Sequence, residues 1–125
     1  MRSGGRLEGD VKAAVMGYLE LRGDLRVWRC NVGSFKPQSG GFVSFGLGKG
    51  AADIICCQAP AGRLIGIEVK RERGGVLSDA QVAWGAALEA FGGKYIVGTN
   101  VAEVAVQLGE PSVRVRLKST RVIPR

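Results

Sequence analysis

The chain contains no histidine. That removes every catalytic triad or dyad that relies on imidazole, every histidine general base and every His-ligated zinc or iron centre. Cysteine is scarce and odd in number: Cys30, Cys56 and Cys57, the last two adjacent in an apolar run. Three thiols cannot fill a Cys₄ zinc site, and none shows C-x-x-C spacing. The pattern argues against a disulfide framework and for reduced, packed thiols, so a cytoplasmic setting is expected. No apolar run approaches the ~18 residues of a membrane span, and Met1-Arg2-Ser3-Gly4-Gly5 leads into no secretory h-region. If a metal is used, its ligands are carboxylates and carbonyls, which selects a hard cation such as Mg²⁺ or Mn²⁺.

Acids are in the minority. Lys and Arg number 18 against 11 Asp and Glu, a formal charge of +7. At this size the excess suggests a polyanionic partner, with nucleic acid the first candidate. The excess is concentrated from Pro111 onward, where Arg114, Arg116, Lys118, Arg121 and Arg125 meet no acid. A solvated tail that only aids solubility is the plain alternative. The 125 residues are 46% apolar, which suits one globular domain over 1–125.

Apolar spacing predicts a first helix from about Leu7 to Leu21, with Leu7, Val11, Val15 and Leu19 recurring every four residues. Leu25 to Val32 reads as a strand. Residues 33–50 are rich in glycine, with Phe42 to Phe45 a short strand inside them. Ala52 to Gln58 and Leu64 to Lys70 read as strands joined by the turn Ala59-Pro60-Ala61-Gly62. Ser78-Asp79-Ala80-Gln81 fits a capping box, and Trp84, Leu88 and Phe91 mark the buried face of the helix it opens. Lys94 to Gly98 is a short strand. Asn100 and Glu103 cap a third helix that ends at Gly109-Glu110-Pro111. Val113, Val115 and Leu117 alternate with basic residues, which predicts a last strand, available for pairing at an edge. Trp28 and Trp84 are expected in the core. The order is α-β-β-β-α-β-α-β, a mixed sheet flanked by helices.

Chemistry concentrates in Ile67-Glu68-Val69-Lys70. In a strand Glu68 and Lys70 share one face, expected to face solvent, and Ile65, Ile67 and Val69 share the other. If the two middle strands form a hairpin, counting back from the turn places Asp53 next to Glu68. Two carboxylates then converge beside a lysine. That is a cradle for a hard divalent ion, completed by the backbone carbonyl of Val69 and by water, in which Lys70 assists the attacking water or offsets transition-state charge. A surface Glu-Lys pair on an edge strand is the alternative. Gly48-Lys49-Gly50 fails as a Walker A loop, because position 43 is valine and no Ser or Thr follows the lysine. The glycine-rich loop either lies along nucleic acid with Lys36 and Lys49 near phosphates, or is a plain connector.

In order along the chain, Gly50-Ala51-Ala52-Asp53-Ile54, Gly62-Arg63, Ile67-Glu68-Val69-Lys70-Arg71, Leu77-Ser78-x-x-Gln81-x-x-Trp84 and Gly92-Gly93-x-Tyr95 resemble the VRR-NUC (virus-type replication-repair nuclease) domain of the PD-(D/E)XK superfamily. The resemblance spans about residues 7 to 98. It implies a restriction-endonuclease-like core and a metal-dependent DNA endonuclease. It implies metal-binding roles for Asp53, Glu68 and the first-helix acid Glu8, a catalytic lysine in Lys70, and a supporting glutamine in Gln81. Arg71 and Arg73 join Lys36 and Lys49 as expected nucleic-acid contacts. Ala52 stands where the superfamily pattern has proline, a residue that supplies no ligand. Stand-alone members are thought to act as junction-resolving dimers, so a homodimer on branched DNA such as a four-way junction, in repair or replication and in a bacterial cytoplasm if phage-encoded, is the expected setting. Glu8 and Gln81 also have plain readings, as a first-turn acid favourable to the helix dipole and as a member of a capping box. A non-catalytic nucleic-acid-binding module on the same fold remains the alternative function.

Overall fold

The computed structural model describes residues 8–30, 33–35, 38–41 and 43–116, with only the backbone of 33–35 and 43–45. Helix α1 (Glu8–Leu21) buries Val11, Val15 and Leu19 of the predicted stripe, whose first member, Leu7, lies outside the described residues. Strand β1 (Leu25–Arg29) is followed by β2 (Gly33–Phe35) and β3 (Val43–Phe45), a small antiparallel hairpin of its own. Strands β4 (Ile54–Gln58) and β5 (Arg63–Val69), helix α2 (Asp79–Ala90), strand β6 (Lys94–Gly98) and helix α3 (Val101–Leu108) complete the order.

The main sheet runs β1-β4-β5-β6. Its first three strands pair antiparallel and β6 joins β5 parallel, the crossover being α2. The chain is thus an α/β fold with an open, mixed four-stranded sheet and three helices among the described residues. The period-2 alternation of β4 and β5 decides what each face buries. Ile54, Cys56, Ile65, Ile67 and Val69 form one core with Val11, Val15 and Leu19 of α1 and Val104 of α3. On the opposite face Gly66 lies under α2. A Cβ there would stand 2.8 Å from the Trp84 ring and 3.1 Å from Leu88. Tyr95 packs against Gly85 of α2, where any β-carbon would run into the phenol ring.

Four expectations are corrected. The strand predicted over Leu25–Val32 ends at Arg29, and Asn31 and Val32 lie outside the described residues. Val113 to Arg116 form no strand, while Leu117 lies outside the described residues. After Pro111 this segment passes the turn before β1 rather than a sheet edge, and among the described residues its backbone bond is from Val115 N–H to Gly23 O (2.6 Å). Phe91 is 92% exposed. It is the C-cap of α2, and its N–H folds back onto the last carbonyls while Gly93, not Phe91, closes against Leu88. Trp28 is 47% exposed, because α2 covers the β5–β6 half of its face and leaves edge strand β1 open. The Arg26 guanidinium stands 5.8 Å from its ring centre instead.

Candidate functional site

The hairpin register places Ile54 opposite Ile67, so one step further along it Asp53 faces Glu68, as the count from the turn predicted. Asp53 is held from both sides. Its carbonyl accepts from Cys30 N–H (2.8 Å), and its Oδ2 accepts from Val69 N–H (3.0 Å). Local sequence makes this approach possible. Gly50 adopts φ +85°, and a Cβ there would strike the Ala80 carbonyl, so only glycine lets the segment that leads through Asp53 into β4 pass the start of α2.

Glu68 is not on a solvent-facing surface. It is 3% exposed, covered by α2. Gln81 does two things there. Its Oε1 accepts from Ser78 N–H (2.9 Å), completing the capping box with Gln81 N–H to Ser78 Oγ (3.1 Å). Its Nε2 donates to Glu68 Oε2 (2.9 Å). The capping box therefore fixes the glutamine that fixes the acid. Lys70 Nζ lies 3.7 Å from the same Oε2. Glu68 Oε1 is buried and has no hydrogen-bond partner.

Burial, followed by the charge of Asp53 and the contact with it, pushes the Glu68 carboxyl up to about 7, with Lys70 and Lys12 pulling the other way. Tyr95, on the same sheet face, is raised to about 12 by burial and by the negative field of Glu68 and Asp53. Its hydroxyl is buried without a partner, and its ring packs at 6.0 Å and 57° against Trp84.

The structure thus brings together Asp53, Glu68, Lys70 and Gln81. It adds Lys12 of α1, whose Nζ donates to Asp53 Oδ1 (3.2 Å). Lys12 escaped the sequence reading. The signal that could have found it is its spacing of one helical turn from Glu8, which puts both on one face of α1. Among the described residues no group of three or more His, Cys, Asp and Glu is gathered for a metal, so Glu8 does not complete a three-acid cluster with Asp53 and Glu68. At Val69 the group in contact with the pair is the N–H, through Asp53. Lys49, Arg71 and Arg73 are exposed, and Lys36 lies outside the described residues.

Comparison with protein-family models, curated proteins and solved structures returns no match for this chain. No helix among the described residues is long and apolar enough to cross a membrane.

Proposed function

We propose that the chain is a Mg²⁺- or Mn²⁺-dependent DNA endonuclease of VRR-NUC type on a restriction-endonuclease-like core. One observation carries the reading. The carboxylates of Asp53, just before β4, and Glu68, in β5, meet at one sheet end, Glu68 being buried with one oxygen unpartnered and Lys70 Nζ 3.7 Å from its other oxygen. A purely structural acid in that position would leave a buried oxygen without a partner beside a second carboxyl group, which costs stability.

The donor set fits a hard divalent ion. Mg²⁺ is commonly held by one or two carboxylates, with water and substrate phosphate filling its other positions. Asp53 and Glu68 supply two, and the orphaned Glu68 Oε1 is free to serve. When bound, the ion would polarise a phosphoryl oxygen and lower the pKa of a coordinated water. The chain's own residues do the rest. Val69 N–H and Gln81 Nε2 hold the two carboxylates in place. The Lys70 ammonium lies where it can offset charge building on a phosphate. The +7 surface, with Lys49, Arg71 and Arg73 exposed, favours a polyanion. A homodimer acting on branched DNA belongs to the same proposal, because one site cuts one strand and a two-fold pair is the commonest closed assembly that supplies two.

The test incubates labelled duplex, flap and four-way-junction DNA with Mg²⁺, Mn²⁺ or EDTA. Metal-dependent cleavage that EDTA stops, and that Glu68→Gln and Lys70→Ala abolish, is the expected result. Undiminished cutting in EDTA overturns the mechanism. Tight binding without cleavage by wild type under every condition leaves a binding module in its place.

A further inference from the structure

Lys12 belongs to no motif that the sequence displays, yet it makes the closest charge contact of the acid pair. Its Nζ stands 3.2 Å from Asp53 Oδ1, and both side chains are largely withdrawn from water, at 18% and 21% exposure. Asp53 Oδ2 is already taken by Val69 N–H, and Glu68 Oε2 by Gln81 and Lys70. Each oxygen of the pair except Glu68 Oε1 therefore has a donor or a cation against it.

Resting on the metal reading above, we propose that Lys12 is a built-in counter-cation that occupies part of the divalent-ion position and must release Asp53 Oδ1 before the pair can take a metal. The chemistry favours an exchangeable contact. An ammonium on a four-carbon stem is a compact point charge that can swing out to water, whereas the Val69 amide cannot leave Asp53 without breaking the sheet end. Lys12 also lies in the first half of α1 and is not one of the residues that helix buries in the core, so its release removes no core contact. The consequence is a site that stays charge-balanced when empty, at some cost in affinity for the ion.

The experiment titrates the full chain, freed of metal and without DNA, with Mn²⁺ and reads free Mn²⁺ by its electron paramagnetic resonance signal. Wild type, Lys12→Met, Lys12→Arg and Glu68→Gln are compared. Methionine keeps an unbranched apolar stem and the helix propensity of lysine, one atom shorter and without its charge. Lys12→Met should bind Mn²⁺ about three- to five-fold more tightly than wild type, the scale of a partly exposed ion pair. Lys12→Arg, which keeps the cation, should stay near wild type, and Glu68→Gln should lose binding. Lys12→Met affinity equal to or weaker than wild type overturns the counter-cation role while leaving the metal site standing. Failure of both wild type and Lys12→Met to bind Mn²⁺ overturns the metal reading itself, and this inference with it. Thermal melts of each variant show whether a loss comes from unfolding.

Discussion

Glu68 concentrates the conflict of the molecule in one side chain. Unfolded, it titrates near 4.5; folded and metal-free, near 7. Between those values the folded state holds the proton more tightly, so stability falls as pH rises across that window. Below the window both states are protonated and the cost vanishes. Glu68→Gln removes the titration and keeps the shape. Denaturant unfolding of metal-free protein at pH 5 and pH 8 should therefore show wild type losing stability relative to Glu68→Gln at the higher pH. An equal difference at both values contradicts the origin of the shift in burial and Asp53. Because Glu68 is buried, the isosteric change is the informative one. Lys70 lies nearer water, so Lys70→Ala should fold normally and lose cleavage.

At the scale of elements, one close fit lies beside the acid pair and another holds the far end of the sheet, and both can be broken deliberately. Gly85 of α2 meets the Tyr95 ring of β6 with no room for a methyl group. Gly85→Ala gains about 1 kcal/mol of helix propensity, but overpacking a rigid ring costs about 1–3 kcal/mol, so net destabilisation is expected. Denaturant midpoints measure it, and a stabilised variant would show that α2 moves freely over the sheet. The other fit is at the far end of β1. Arg22 and Asp24 form a bidentate ion pair, both bonds 2.8 Å, with Asp24 2% exposed. Arg22 Nη1 reaches on to Gly109 O (2.8 Å) and to the Tyr18 hydroxyl (3.3 Å), and Gln58 donates to Asp24 (3.1 Å). The pair ties α1, β1, β4 and the end of α3 together. Asp24→Ala would leave the guanidinium buried and uncompensated, at a cost of about 3–5 kcal/mol. Its loss should appear in unfolding free energy, with metal binding by the surviving folded fraction unchanged, since this cluster and the acid pair lie at opposite ends of β4.

For the whole molecule, the +7 charge predicts a steep salt dependence. Each phosphate neutralised contributes about −0.9 to the slope of log binding constant against log salt on duplex DNA. Affinity titrations at several salt concentrations measure it, and a flat response would remove the charge from any role in DNA binding. Assembly is tested by light scattering over a range of concentrations. A dimer mass with preference for four-way junctions over linear duplex supports the paired-site proposal; a monomer throughout, or equal cutting of both, retires it. The segment 113–116 no longer offers a strand for that pairing, so the open strand edges left in the main sheet are those of β1 and β6.

Local periodicity and turn chemistry set what can be read from the order of the amino acids alone. The stripe of Val11, Val15 and Leu19, the Ser78–Gln81 capping box, the Asn100–Glu103 cap and the turn at 59–62 are all short-range signals, and each appears where it was expected. The meeting of Asp53 and Glu68 was also legible, because hairpin register follows from counting. What local pattern could not show was which surfaces are covered. Val113 to Arg116 alternate like a strand but find no edge, Phe91 falls on the helix period but just past the last turn, and Trp28 lies on the part of the sheet that α2 does not reach. Glu68 was legible as a candidate and not as a buried residue, since its cover comes from α2, whose Gln81 stands 13 residues further along the chain. Lys12 was missed for the same reason. Its partner is 41 residues away, and only the packing of α1 against the end of the sheet brings an ammonium to Asp53.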